Sequence, residues 1–217
     1  MLLHLRCNYL PLVDLPREMQ QHIWGVATNG IHVSSPNTYS LTDLLYCVRK
    51  AWFKRKIRKP LSLESAYNIF RGKIYDEQFS SCFLDNQKRV TYRCERIPRT
   101  ITGKYDFITT DNPPILTDLK TTKNLYFTNQ ASLEYQKQVR FYAHQASVTR
   151  AQIIYMDFGD AKVFPVEVGD ERPLLKELED QALTLYRTEK TENPPAKQPS
   201  WLCELCEYKI ECEAHSQ

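Results

Sequence analysis

Ile115-Leu116-Thr117-Asp118-Leu119-Lys120-Thr121 is the stretch on which the reading of this chain turns, together with Thr102-Gly103-Lys104-Tyr105-Asp106-Phe107 just before it. Both segments are short, apolar–polar and β-branched, which is the pattern of strands. Asp111-Asn112-Pro113-Pro114 lies between them as a turn signal, so the pair reads as a hairpin. Side chains alternate across a strand, so Asp118 and Lys120 share a face while Leu119 points into a core. Two carboxylates, with Asp106 supplied by the neighbouring strand, hold a hard cation through oxygen. A lysine beside them can orient or help deprotonate an attacking water and offset developing negative charge. The set suits metal-assisted hydrolysis. Its plain alternative is a surface salt bridge, because Asp-x-Lys is a short pattern.

The chain has 217 residues, 42% of them hydrophobic and 25% charged, which is ordinary for one globular domain or a core with a small appendage. Net charge is only +3, so a case for nucleic acid must rest on local clustering. No run is long and apolar enough to span a membrane. Met1-Leu2-Leu3-His4-Leu5 is soon followed by Arg6, Asp14 and Arg17 and does not read as a signal peptide, so a cytoplasmic location is expected. Seven cysteines in that setting favour metal ligation or free thiols over disulfides.

Residues 1–35 have weak periodicity. Cys7, His4, His22 and His32 match no ligand spacing there and read as a buried thiol and surface histidines. Ser40 and Asp43 form a capping box for a helix marked by Leu41, Leu44, Leu45, Val48 and Trp52, with Cys47 on it. A basic run follows: Arg49, Lys50, Lys54, Arg55, Lys56, Arg58 and Lys59, with Trp52 and Phe53 among them. Cations neutralise phosphates and aromatic rings stack on bases, so Arg49, Lys50, Trp52, Lys54, Arg55, Lys56, Arg58 and Lys59 are candidate DNA contacts; a solvated helix face is the alternative. Ser62 caps the next helix, about residues 63–80. Gly72 within it suggests close packing, and Asp76 shares its face four residues on. Glu77 and Glu64 are weaker candidates there.

Val90, Tyr92 and Cys94 mark a first strand, which with the two strands after it makes an antiparallel meander. Cys82 and Cys94 read as buried thiols. A helix covers about residues 130–147, with Gln138 and Tyr142 on one face. Residues 153–158 and 162–166 form a hairpin around Gly159-Asp160, and Leu174, Leu175, Leu178, Ala182, Leu183 and Leu185 mark a further amphipathic helix. Thr191 to Ser200 is a polar, proline-rich linker. Beyond it, Cys203-Glu204-Leu205-Cys206 and then Cys212 offer three thiolates that lack a fourth. Zinc and iron–sulfur clusters both accept four cysteines, and free thiols are the plain alternative.

Asp106 followed by Asp118-x-Lys120 resembles the PD-(D/E)XK nuclease signature, and Gly103-x-x-Asp106 is the form it takes in RecB-like members. Gln138-x-x-x-Tyr142 resembles a further motif of that group. Gly72-x-x-x-Asp76 stands where those nucleases carry Gly-x-x-x-His. Cys47 with Cys203, Cys206 and Cys212 looks like the family's iron–sulfur pattern. The likeness runs from about Ser40 to Cys212. The short chain has no Walker A sequence, so it is most like the stand-alone CRISPR-associated exonucleases.

The resemblance implies an α/β fold of the restriction-endonuclease type, a mixed sheet flanked by helices, with a C-terminal iron–sulfur segment clipped to an N-terminal helix. Residues 1–35 would be an extension, 36–190 the nuclease core and 191–217 the linker and cluster segment. Asp106, Asp118 and the Leu119 carbonyl would hold Mg²⁺ or Mn²⁺, with Asp76 as a further ligand, and Lys120 would activate water. Gln138 would bond a phosphate or base edge, and Tyr142 would position the lysine or a phosphate. Cys47, Cys203, Cys206 and Cys212 would hold a four-iron cluster, with a two-iron cluster or zinc as alternatives. The implied substrate is single-stranded DNA or a DNA end, cut by an exonuclease that trims spacer precursors beside the CRISPR integrase. A repair or recombination nuclease, and a non-catalytic iron–sulfur DNA-binding module, are the competing readings.

Overall fold

The computed structural model describes residues 15–29, 35–57, 59–157, 159–198 and 200–215, apart from the side chains of Trp201 and Leu205. Cys7, His4, His32 and Arg58 lie outside the described residues. In chain order the elements are α1 (Arg17–Thr28), β1 (Thr38–Ser40), α2 (Leu41–Tyr46), α3 (Val48–Lys56), α4 (Leu63–Ser80), β2 (Asp85–Asn86), β3 (Arg89–Arg93) and β4 (Thr100–Lys104). They continue with β5 (Phe107–Ile108), β6 (Ile115–Thr121), α5 (Leu133–Ala146), β7 (Arg150–Met156), β8 (Ala161–Glu167) and α6 (Arg172–Thr188). A 3-10 turn (Trp201–Leu205) and α7 (Lys209–Ala214) complete the chain.

The architecture is mixed α/β, as expected. The strands make two sheets, ordered β1-β4-β3 and β2-β5-β6-β7-β8. β6 and β7 are parallel over seven paired residues, Ile115↔Arg150 to Thr121↔Met156, and α5 makes the crossover between them. Leu116, Thr117, Asp118 and Leu119 are all buried, the near-continuous run of a strand covered on both faces. The main core joins Leu116 and Ile153 of these strands to Val139 and Phe141 of α5 and to Leu178 and Leu185 of α6.

The expected meander is corrected. The segment from Thr102 to Phe107 is not one strand: it breaks at Tyr105-Asp106 and changes sheets there. β4 pairs antiparallel with β3 in the smaller sheet, and β5 pairs antiparallel with β6 in the larger. The break is held from several sides. Tyr105 N–H donates to the Lys88 carbonyl (3.3 Å), the Gln87 N–H donates to the Asp106 carbonyl (2.8 Å), and Tyr105 Oη donates to Asp85 Oδ1 (2.5 Å).

The single helix expected after Ser40 is also two. Cys47 is extended (φ −169°, ψ 107°) and divides α2 from α3, and its sulfur accepts the Lys50 N–H at 3.3 Å as the cap of α3. Ser40 is the N-cap of α2 but makes no capping bond; its hydroxyl meets Thr42 Oγ1 at 2.8 Å, and Asp43 pairs with Lys54 at 3.2 Å instead. α4 begins where its cap predicts, with Ser62 Oγ accepting the Ser65 N–H at 3.1 Å. α1, in a stretch whose periodicity is weak, packs on α4 through Ile23, Ala27 and Ala66 as a small second core. Cys94 is buried, whereas Cys82 is exposed, contrary to expectation. Cys82 follows the last turn of α4 and its thiol reaches only the Gln78 carbonyl, at 3.7 Å.

Two glycines differ sharply. A Cβ at Gly72 would meet nothing within 4 Å, so the close packing expected there is absent. A Cβ at Gly103 would collide with the Tyr142 ring, with Tyr142 Oη at 3.0 Å and Cζ at 3.1 Å. Gly72→Ala should leave stability unchanged or raise it by up to about 1 kcal/mol, whereas Gly103→Ala should cost about 1–3 kcal/mol by overpacking. Thermal unfolding of the two variants checks this, and equal melting temperatures would contradict it.

Candidate active site and cysteine site

β6 is paired with β7 along its whole length, but with β5 only at Leu116 and Thr117. Among the described residues, its other edge has no strand partner beyond Thr117. Asp106 fills that gap: Oδ2 accepts the Leu119 N–H at 2.6 Å. In a strand the N–H and C=O of one residue leave on the same side, so the Leu119 carbonyl opens into the same gap. Asp106 Oδ1 accepts Gln87 Nε2 at 3.3 Å. Asp118, 2% exposed, lies with its Oδ2 2.6 Å from Lys120 Nζ, a close ion pair not aligned as a hydrogen bond. The Lys120 ammonium also sits over the Tyr135 ring, 4.6 Å from its centre. α4 packs along β6 and brings Asp76 within the electrostatic reach of Lys120, Asp118 and Lys104. The structure thus gathers Asp76, Asp106, Asp118 and Lys120 at one place.

Burial pushes Asp106 up to about 8, with the charges of Asp118 and then Asp76 adding to it. Burial likewise pushes Asp76 up to about 6; Lys120 opposes the shift and Asp118 adds to it. Burial alone would lower Lys120, but Asp118 and then Asp106 outweigh it and hold the ammonium charged well above its ordinary range. Lys120 is thus held charged by the carboxylates around it.

On α5, Gln138 Nε2 donates to Tyr142 Oη at 3.0 Å. The Gln138 Oε1 is buried with no partner. The Tyr142 phenol is raised by burial and then by Asp118, which places it beside the same carboxylate. Gly103 is the residue that admits the Tyr142 ring. The two short patterns Gly103-x-x-Asp106 and Gln138-x-x-x-Tyr142 therefore interlock physically. Sequence reasoning missed Gln87, Lys104, Tyr135 and Tyr46. Tyr135 precedes Gln138 by three residues and so shares its helix face, a signal that was available. Tyr46 packs edge-on against Tyr135 at 6.1 Å and immediately precedes Cys47.

Among the described residues, no three Asp, Glu, His or Cys side chains converge closely enough to hold a metal ion as they stand. The donor chemistry at the gap nonetheless fits a divalent cation. Three carboxylates feel one another's charge in a buried place, and burial, with that mutual repulsion added, drives Asp106 and Asp76 toward protonation.

Cys47, Cys203, Cys206 and Cys212 line one pocket with Phe53 and Tyr208. Three N–H donors aim at sulfur: Lys50 N to Cys47 (3.3 Å), Ser200 N to Cys203 (3.4 Å) and Arg49 Nε to Cys212 (3.1 Å). Such bonds favour thiolate, the ligating form, which is the donor chemistry a four-cysteine iron–sulfur cluster requires. Burial raises Cys47 against this, and the nearby Cys206 and Cys203 add to the rise. The tail is also tied down without a cluster: Lys59 pairs with Glu211 at 2.5 Å, and Tyr208 stacks on Phe53 and donates to the Ile57 carbonyl at 3.1 Å.

The basic run is not a free cationic face. Arg49 is 5% exposed and grips Cys212 and the Pro195 carbonyl (2.6 Å), which pins the expected linker. Trp52 is 4% exposed and donates to the Thr188 carbonyl at 2.7 Å. Arg55 bonds the Thr38 carbonyl and covers the Tyr39 ring, and Lys59 bonds the Glu207 carbonyl. Lys50 pairs with Glu207. Lys54 and Lys56 remain exposed, paired with Asp43 and set over Trp52 respectively. Of the described cations in the run only Arg49 is buried; Lys50, Arg55 and Lys59 are half-buried and paired within the protein, and Lys54 and Lys56 are exposed.

A mixed sheet with an Asp-x-Lys strand at its opened edge and a facing aspartate defines a class of phosphodiester-cleaving folds. The chain belongs to the PD-(D/E)XK nuclease superfamily, which it matches over residues 30–213. The structure of SSO0001 resembles it with a TM-score of 0.70 at 18% identity, covering 91% of this chain and 97% of that one. LHK-Exo, an alkaline exonuclease from Laribacter hongkongensis, has a TM-score of 0.51 at 8% identity, covering 78% and 94%. Its complex with dAMP gives 0.51 at 11% identity, covering 70% and 89%. These structures share the fold. No curated protein sequence matches the chain. No described helix is long and apolar enough to cross a membrane.

A carboxyl whose folded pKa lies above its ordinary 3.8 binds more protons folded than unfolded. Asp76 and Asp106 therefore withdraw stability from the metal-free protein as pH rises from about 4 through about 8. A bound cation reverses this. The rise in melting temperature on replacing EDTA by Mn²⁺ should be larger near pH 8.5 than near pH 5.5, with both taken as about those values. Asp106→Asn should flatten the difference. A Mn²⁺ effect equal at both pH values in the unsubstituted protein would contradict the site.

Proposed function

We propose that this chain is a Mg²⁺- or Mn²⁺-dependent deoxyribonuclease that removes nucleotides from single-stranded DNA or DNA ends. The observation that carries the reading is the convergence of Asp76, Asp106 and Asp118 around Lys120 at the opened edge of β6. Asp106, Asp118, the Leu119 carbonyl and Asp76 would hold the cation. When bound, it would polarise the scissile phosphate and lower the pKa of a coordinated water. Asp118 anchors the Lys120 ammonium, and Lys120 orients the attacking water and offsets charge building on the phosphate oxygens. The Gln138 amide nitrogen holds the Tyr142 phenol beside Asp118. Lys104 adds a cation at the rim, and Lys50, Lys54 and Lys56 are the members of the basic run left to meet a phosphate backbone.

Cys47, Cys203, Cys206 and Cys212 would hold a four-iron cluster that cross-links α3 to the tail. Iron and acid-labile sulfide separate it from zinc, and the iron-to-sulfide count separates it from a two-iron cluster. The resemblance to stand-alone CRISPR-associated exonucleases supports a role in trimming spacer precursors beside the integrase. A repair nuclease would use the same chemistry.

Single-stranded DNA should be degraded with Mg²⁺ or Mn²⁺ and left intact with EDTA. Asp106→Ala and Asp118→Ala should reduce hydrolysis to background, and Lys120→Ala should lower it by about 10²–10³-fold. Asp76→Ala should lower it in a way that higher metal concentration partly restores. Protein with an intact cluster and no cleavage under any of these conditions would hand the reading to a DNA-binding module. Anaerobically purified protein should be brown and contain sulfide. Alanine at Cys47, Cys203, Cys206 or Cys212 should bleach it, and alanine at Cys82 or Cys94 should not. Zinc without sulfide in fresh protein would overturn the cluster.

A further inference from the structure

The segment between β6 and α5 leaves the strand that carries Asp118 and Lys120 and closes at once into a tight turn. Leu125 is its buried anchor, and the Leu125 N–H donates to Asp157 Oδ2 at 3.1 Å. Asn124 Oδ1 accepts the Tyr126 N–H (3.0 Å), the Thr128 N–H donates to the Leu125 carbonyl (3.0 Å), and Lys162 Nζ reaches the Thr128 carbonyl (3.1 Å). This fixed turn points two rings outward. Tyr126 is 81% exposed and Phe127 75%, and they pack edge-to-face on one another at 5.3 Å. Neither joins a core cluster. Single exposed apolar residues are ordinary, but two adjacent aromatics held out by a rigid anchor are not a by-product of loose packing.

The turn begins just after β6, the strand that carries Asp118 and Lys120. Asp157, whose carboxylate holds the Leu125 amide, takes a long bond from Tyr75 Oη on its carbonyl (3.5 Å), and Tyr75 immediately precedes Asp76. Lys123 in the same turn keeps a mostly exposed ammonium, 3.7 Å from Glu64. Exposed rings and a cation, on the turn that leaves the strand carrying Asp118 and Lys120, match what an unpaired nucleic acid strand presents: flat base faces and a negative backbone.

We propose that Tyr126 and Phe127 are a stacking platform for the bases of single-stranded DNA entering the metal site, with Lys123 meeting the adjoining phosphate. The inference rests on the nuclease reading and adds a reason for strand selectivity. A base in a duplex has its faces covered by its neighbours, so the platform serves unpaired DNA. Stacking is nearly independent of salt, and Lys123 carries the small ionic part.

The test is the affinity of the full chain, in EDTA so that nothing is cut, for a fluorescent single-stranded oligonucleotide and for the same sequence as a blunt duplex. Tyr126→Ala with Phe127→Ala should weaken single-strand binding by about 5- to 100-fold. Duplex binding and the slope of log affinity against log salt should be unchanged. Tyr126→Phe and Phe127→Tyr should bind as the unsubstituted protein does, and a 2-aminopurine base near the end should be quenched by it but not by the doubly substituted protein. Unchanged single-strand affinity in the double variant overturns the proposal. A changed salt slope overturns it too, because the loss would then be ionic. Dissociation of a self-associated species with DNA affinity intact would assign the rings to a protein interface and equally overturn it. If the unsubstituted protein cleaves DNA while the variants match it in binding, only this inference falls. If the unsubstituted protein neither binds nor cleaves DNA, the nuclease reading falls with it.

Discussion

Asp106 Oδ2 accepts the Leu119 amide at 2.6 Å, where a neighbouring strand would otherwise have continued the ladder. The bond is possible only because the chain breaks at Tyr105-Asp106 and resumes as a strand of two residues. It satisfies a backbone donor that would be costly to leave unpaired in a buried strand. It also fixes a carboxylate beside Asp118 and leaves the Leu119 carbonyl directed into the same gap. Extending β5 by two residues would close the edge, bury that carbonyl in a ladder and displace Asp106. The charged site exists because the sheet stops early.

The ammonium of Lys120 is the next constraint. It is the close counter-charge to Asp118, and it is packed under Tyr135, which in turn meets Tyr46. Tyr46 is followed by Cys47, the residue whose extended backbone divides α2 from α3 and whose sulfur faces the other three cysteines. Two ring contacts thus link Lys120 to Tyr46, the chain neighbour of Cys47. On the far side of the pocket, Arg49 bonds a sulfur, a tail carbonyl and the Pro195 carbonyl together.

Legibility in the sequence followed the locality of the physics. The strand with Asp118 and Lys120, the α4 cap, the α5 face with Gln138 and Tyr142, and the β7–β8 hairpin all rest on periodicity or on partners a few residues away. The break at Asp106 rests on a partner thirteen residues on, across a sheet edge, and nothing in the segment Thr102 to Phe107 announces it. Arg49 looked like a phosphate ligand because its run is basic; its partner Cys212 is 163 residues away. α1 was missed because Gly25, two glutamines and a histidine dilute a stripe of only Met19, Ile23, Val26 and Ala27, and that stripe acquires meaning only against α4. The grouping of Cys47 with Cys203, Cys206 and Cys212 was legible only through the resemblance to a nuclease family, because no spacing rule links Cys47 to cysteines so far along the chain.

The central claim is that the opened edge of β6 is a divalent-cation site, and the most direct test counts the ions. Chelator-treated protein titrated with Mn²⁺ near neutral pH and followed by electron paramagnetic resonance of the free ion should take up Mn²⁺ saturably. Asp118→Asn should abolish that uptake and Cys212→Ala should retain it. Saturable uptake that survives both Asp106→Asn and Asp118→Asn, or no uptake by the unsubstituted protein, would contradict the account.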